Sequence, residues 1–240
     1  MRPVNKGVSP YKSIQQYGEA LPYLEDRIGL YCSYCEMPIS HVPEVEHIHS
    51  KTKGGNLTAW DNLLLGCKYC NTRKSKHTDS ENVEDYLWPD RYNTAIAYDY
   101  EYGVPTVNEA TLLSVDSERV ALIKAHNLFD LVKLGNRPTP KEKDRRFRER
   151  NKAFDVALEE LERYRRMKRM YPDVLGDILE QLTRLARLCG FFSVWMTVFK
   201  EEPEVLKVLI SSFPGTAKKF YDDDGVPMTV IDREEVLCSV

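Results

Sequence analysis

Two Cys-x-x-Cys pairs, Cys32/Cys35 and Cys67/Cys70, constrain this 240-residue chain more than any other feature. Thiolates in paired spacing fill the corners of a tetrahedron around zinc, each pair supplying one half. A closed four-sulfur shell leaves no position for substrate, so the expected ion is a structural Zn2+. Thirty-one residues separate the pairs, more than a plain zinc ribbon needs, and an inserted hairpin accounts for the excess. Cys189 and Cys238 lack a partner at such spacing and read as buried thiols. No apolar run reaches the ~20 residues that span a bilayer, and Met1-Arg2-Pro3-Val4-Asn5 has no apolar leader core. A cytoplasmic location is the resulting expectation, where cysteines bind metal rather than form disulfides.

A zinc staple does not need what lies between the pairs. Glu46-His47-Ile48-His49 sits at the centre of the insert, and Asn71 follows Cys70 directly. A carboxylate and an amide oxygen are hard donors suited to Mg2+ or Mn2+, unlike the cysteines. On an extended segment His47 faces away from Glu46, and His49 shares the face of His47. A divalent ion on Glu46 and Asn71, beside a neutral imidazole that takes a proton from water, is the equipment for phosphodiester hydrolysis. Taken alone, a strand histidine is more often a satisfied core residue; the neighbouring carboxylate and asparagine favour the catalytic reading. His49, Arg73 and Lys74 are read as substrate contacts, whereas His41, His77 and His126 have no supporting neighbours. Between His47 and His77 stand Lys51, Lys53, Lys68, Arg73, Lys74 and Lys76 against Asp61 alone. Such a basic rim suits contact with a phosphate backbone, although the whole chain carries a net charge of only −3.

In order, the two Cys-x-x-Cys pairs, Glu46-His47, Gly54-Gly55, Asp61-Asn62-Leu63 and Cys70-Asn71-Thr72-Arg73-Lys74 resemble the HNH (ββα-metal) endonucleases that carry a zinc site. The resemblance implies that Glu46 and His47 end a first strand as ion ligand and general base. It implies that Asn62 braces the loop and orients His47, and that Asn71 completes the ion site. Glu46 stands where aspartate is commoner. The wider chain is similar to the HNH subunit of Septu-type anti-phage systems, some of which occur with retrons. The stretches that carry this are Met1-Arg2-Pro3-Val4-Asn5-Lys6-Gly7, Tyr31-Cys32-Ser33-Tyr34-Cys35-Glu36, Leu64-Leu65-Gly66-Cys67-Lys68-Tyr69-Cys70-Asn71 and Gly190-Phe191-Phe192-Ser193-Val194-Trp195-Met196. That similarity implies an ABC-type ATPase partner and a nucleic-acid substrate, DNA first and a structured RNA such as tRNA as the competitor. No Gly-rich Lys-Ser/Thr phosphate loop occurs here, so the ATPase is expected to be a separate chain. A non-catalytic, zinc-stabilised nucleic-acid-binding adaptor is the alternative of another class; it leaves Glu46, His47 and Asn71 unaccounted for.

Hydrophobic content of 42% with 30% charged residues is ordinary for a globular chain. The pattern predicts an α+β fold: a zinc-stapled nuclease domain over 1–110, then a mostly helical domain over 111–240 that docks the partner. Apolar spacing predicts helix over 13–28, interrupted at Pro22 and stopped at Gly29. Strands are expected over 43–49 and 63–65, then a helix from Cys67 to about Thr78 and a short helix over 81–88. Alternation over 94–107 suggests a hairpin turning near Gly103. Further helices are expected over 117–134 with Ser117 as N-cap, then 141–170, 173–188, 191–200 and 203–213. The arginines of 145–169 alternate with glutamates and read as a solvated face. The aromatic run 191–199 reads as core rather than as a docking surface. The acidic tail from Asp222 carries no clear pattern.

Overall fold

The computed structural model describes residues 1–77, 82–140 and 144–231. Cys238 and the side chains of Lys76 and His77 lie outside the described residues. Helix α1 (Leu21–Ile28) follows a single 3-10 turn at Tyr17–Ala20, with Pro22 in its first turn, where a missing N–H costs nothing. The chain leaves it through Gly29 at φ 71°. The first cysteine knuckle comes next: Glu36 N–H donates to the Cys32 carbonyl at 2.9 Å, and Ser33 N–H donates to Leu65 at 2.9 Å. Strands β1 (Glu44–His47) and β2 (Leu63–Gly66) pair antiparallel, Glu44 opposite Gly66 and His47 opposite Leu63. The strand expected over 43–49 is shorter because Asn62 takes over beyond His47. Its carbonyl accepts Ile48 N–H at 2.9 Å, and its side-chain amide bonds both backbone groups of His49. Helix α2 (Lys68–His77) grows out of the second knuckle.

The 81–88 helix contracts to one 3-10 turn at Val83–Asp85, whose Val83 carbonyl accepts the Trp88 indole at 2.7 Å. The hairpin consists of two two-residue strands, β3 (Tyr98–Asp99) and β4 (Thr106–Val107), with Gly103 between them at φ 70°. Helix α3 (Glu109–Val115) was not anticipated; Asn108 starts it by accepting Thr111 N–H at 3.0 Å. Helix α4 (Val120–Leu131) then starts at Arg119 as N-cap, φ 66°, not at Ser117, and the Asp116 carboxylate accepts Ala121 N–H of its first turn at 2.6 Å. Helices α5 (Arg146–Met170), α6 (Leu175–Cys189), α7 (Phe192–Val198) and α8 (Pro203–Ser212) complete the fold. The tail packs back as far as Ile231, whose carbonyl accepts Asn93 N–H at 2.8 Å. No helix among the described residues is long and apolar enough to cross a membrane.

Two apolar clusters organise these elements. One gathers Leu24, Ile28, Tyr34, Leu63, Leu64, Leu65, Trp60 and Trp88 with Ala125, Leu128 and Leu131 of α4. The other gathers Tyr164, Leu182, Trp195, Phe199, Leu209 and Phe213. Helix α5 serves both, through Ala153 in the first and Ala157 in the second. Phe191, Phe192, Val194, Trp195 and Phe199 are all buried, so the aromatic run is core. The solvated reading of the α5 arginines fails at two positions, because Arg146 and Arg150 are buried. The first turns of α5 point into the zinc-bearing part of the molecule. Farther along, Arg165 bonds Glu201 and Glu202, and Lys168 bonds Glu202 and Glu204 at the surface.

The first knuckle is locked to the helical region through Glu36. Its carboxylate accepts from Ser193 Oγ at 2.6 Å, Ser193 N–H at 2.8 Å and Arg2 N–H at 2.5 Å. Its carbonyl accepts Phe191 N–H at 2.9 Å. This approach needs a glycine at 190: φ is 69°, and a Cβ would stand 2.6 Å from Pro38 Cδ. Gly190→Ala is therefore expected to destabilise the protein by about 1–3 kcal/mol or more, read as a lower midpoint in denaturant unfolding. A substitution of Gly176, where a Cβ meets nothing within 4 Å, serves as the control.

Candidate active site and zinc centre

The ligand atoms of Cys32, Cys35, Cys67 and Cys70 all lie within 4.8 Å of one another, and all four residues are buried. Cys35 Sγ and Cys67 Sγ are 3.6 Å apart. A tetrahedral zinc with metal–sulfur bonds of about 2.3 Å sets its sulfurs ~3.8 Å apart, so the cage fits that ion. The electrostatics agree. Burial drives the Cys70 thiol up, whereas hydrogen bonds from Cys35, Cys67 and Cys70 overcome burial and hold Cys32 well below the usual thiol range. The four-cysteine cluster thus fits a structural zinc site. About one zinc per chain is expected on elemental analysis, and Cys70→Ser should lose it and unfold at lower denaturant.

The other site residues hang on β1, β2 and α2. His47 is buried at the end of β1, its ring edge-on to Tyr17 at 4.9 Å. Its Nε2 lies 3.1 Å from the Leu57 carbonyl. A carbonyl only accepts, so the neutral ring carries its proton on Nε2 and leaves Nδ1 with a free lone pair. Burial, helped by the charges of Lys51 and Lys74, holds His47 below the usual histidine range and favours that neutral form. Asn62 ties the following loop together: besides His49 it bonds the Asn56 carbonyl at 2.7 Å. Gly55 permits the same fold-back, since a Cβ there would stand 2.1 Å from the His49 carbonyl oxygen.

Glu46 is buried on the opposite face of β1. One of its oxygens meets Lys74 Nζ at 2.9 Å, and the other accepts a short hydrogen bond from the Tyr34 hydroxyl. Burial raises its carboxyl above the usual range, against the pull of Lys74 and Tyr34. Lys74 also donates to the His47 carbonyl and stands over the Trp88 ring at 5.6 Å. The basic rim therefore loses Lys74, expected to reach a phosphate: its ammonium is turned inward. Asn71 Nδ2 donates to Glu44 at 2.7 Å rather than to Glu46, and Lys68 lies 3.5 Å from the same Glu44 carboxylate. Glu46 and Asn71 are nonetheless neighbours. A Cβ on Gly66 would meet Glu46 Cβ at 3.2 Å and Asn71 Cβ at 3.7 Å, so the glycine leaves the floor between them open. His49 lies beyond the strand, which removes the period-two argument that set it beside His47. Its buried Nε2 has no hydrogen-bond partner. Arg73, half-buried, lies on α2 with a partner of its own.

The donor chemistry fits a hard cation. Glu46 and Asn71 flank Gly66, Asn71 bonds a second carboxylate, Glu44, and a cation, the Lys74 ammonium, already stands on Glu46. Sequence reasoning missed Glu44, Tyr34 and Tyr17. Glu44 was legible by period two from Glu46, whereas the two tyrosines arrive from knuckle and 3-10 turn with no local signal.

No curated protein and no solved structure matches the chain. Residues 32–77, from the first knuckle to the end of α2, match the family model described as HNH endonuclease, and this stretch is an HNH endonuclease domain built around a four-cysteine site.

Proposed function

We propose that the chain is a metal-dependent HNH endonuclease that hydrolyses nucleic-acid phosphodiester bonds, with neutral His47 as general base. The observation that carries this is the Nε2–Leu57 contact, which fixes the tautomer and frees Nδ1 to take a proton from the attacking water. Glu46 and Asn71 would hold the divalent ion, Mg2+ or Mn2+, which supplies Lewis-acid stabilisation of the charge that develops on the phosphoryl and leaving oxygens. Asn62 keeps the 49–56 loop folded over His47. The exposed cations Lys51, Lys53 and Lys68, with Arg73, face the nucleic-acid backbone. Products with 5′ phosphate and 3′ hydroxyl follow from this reading.

The wider resemblance supports a finer reading: an effector nuclease of an anti-phage complex with an ABC-type ATPase, acting on DNA. Exposed apolar side chains on the helical region, among them Leu158, Met170, Tyr171 and Leu188, give such a partner a surface to cover. Cleaved nucleic acid sequenced from cells that express the complete system discriminates DNA from tRNA. A carboxy-terminal truncation that still co-purifies with the ATPase would remove the docking assignment.

His47→Ala is expected to bind nucleic acid normally and to cut about 10²–10⁴-fold more slowly. Because burial lowers the His47 pKa, the proton-accepting form persists to below pH 6.5, and cleavage falls only as acid drives pH through that lowered value. Chelation followed by Mg2+ or Mn2+ should abolish and restore cutting, whereas a non-catalytic adaptor is indifferent to both. An ion at Glu46 must also displace the Lys74 ammonium. Lys74→Met is therefore expected to bind Mn2+ about tenfold tighter, an effect of ~1.4 kcal/mol, measured by titration calorimetry. Weaker binding in that variant would mean that Lys74 orients Glu46 rather than competing for it.

A further inference from the structure

The zinc cage is not made by residues 32–77 alone. Arg146, in the first turn of α5, is buried and donates from Nη1 to Cys70 Sγ at 3.2 Å. The same Nη1 donates to the Val132 carbonyl at 2.8 Å, and Nη2 donates to the Lys133 carbonyl at 3.0 Å. Asp144 takes the remaining edge, Nη2 to Oδ2 at 2.7 Å and Nε to both oxygens at 3.1 Å. A guanidinium is planar and presents its donors in a fixed fork, so these partners leave little freedom to turn away from the sulfur. Four thiolates around one Zn2+ carry a net double negative charge, buried here. A charge-assisted donor on one of those sulfurs withdraws electron density from it and opposes its protonation.

We propose that Arg146 is a positioning residue of the zinc centre: its hydrogen bond to Cys70 Sγ holds the thiolate on the metal and makes zinc retention depend on the corner between α4 and α5. That corner is formed by the Val132 and Lys133 carbonyls, the latter residue at a positive φ of 48°. Zinc loss removes the charge that Arg146 faces, so its contacts with Val132, Lys133 and Asp144 loosen with it. The helical region and the nuclease fold then share one metal-dependent unit. This holds whether or not the domain cuts nucleic acid.

The test uses the full chain loaded with zinc or, for spectroscopy, with Co2+. Arg146→Gln is expected to surrender zinc to excess chelator about 10–100-fold faster than wild type, the usual range for loss of an outer partner of a metal ligand. Its sulfur-to-cobalt charge-transfer band is expected at lower energy, because the unbonded thiolate is the better donor. Arg146→Lys keeps the charge without the fork and is expected between the two. Hydrogen exchange over 132–136 and 144–150 should rise on zinc removal in the wild type. A merely structural arginine would lower the unfolding midpoint and leave the cobalt band and the release rate where they were. That result in Arg146→Gln, or in Arg146→Lys if the Gln variant does not fold, overturns the proposal.

Discussion

Four buried sulfur atoms gathered within 4.8 Å hold the nuclease fold in register. Without an ion they are a liability, since clustered thiolates repel and buried thiols form no core of their own. With a cation they become the cross-link that a two-stranded sheet needs, because an isolated hairpin is marginal in water. The clamp fixes both ends of the insert: Ser33 of the first knuckle bonds Leu65 of β2, and α2 starts from the second knuckle. The candidate site residues hang on these elements. Glu46 and His47 are set by pairing against Leu64 and Leu63, and Asn71 by its place one residue past the last ligand.

The same clamp joins the amino-terminal segment to the helical region. Glu36, one residue past the first pair, receives Arg2 and Ser193, and Arg146 reaches the second pair from α5. Removing one partner from buried contacts of this kind strands a polar group and costs about 1–3 kcal/mol, more where the group is charged. The core follows the contacts. Leu112, Leu122, Leu128 and Leu131 pack in the cluster that holds the nuclease strands, so residues on both sides of 110 share one apolar interior.

The electrostatics separate two sides of β1. On one side the Glu46 carboxylate is buried with a phenol and an ammonium; on the other, burial holds His47 below the usual histidine range against the opposing pull of the Leu57 carbonyl on its ring. Adjacent residues on a strand point apart, which keeps the buried carboxylate and the imidazole on separate faces of one segment. The inward Lys74 balances Glu46 at the expense of the basic rim. This is a reason to count surface charge from burial rather than from sequence.

Much of this was readable without coordinates. Paired cysteines, the Glu46-His47 step, Asn62 and Asn71 depend on chain spacing, and spacing is what a sequence records. Helices α5 to α8 were also legible to within a few residues from apolar periodicity. Helix α3 and the true start of α4 were not, because Asn108 and Asp116 act through side-chain hydrogen bonds that many surface residues could have supplied. What only the folded chain decided is the long-range pairing of polar and charged groups: Lys74 with Glu46, Asn71 with Glu44, Arg146 with Cys70. Their separations along the chain run from 27 to 76 residues. A cation's partner at that range depends on which surfaces packing removes from water. Chain spacing alone marks out the candidate ligands and the candidate base, and tertiary burial decides which of the surrounding charges turn outward and which face one another.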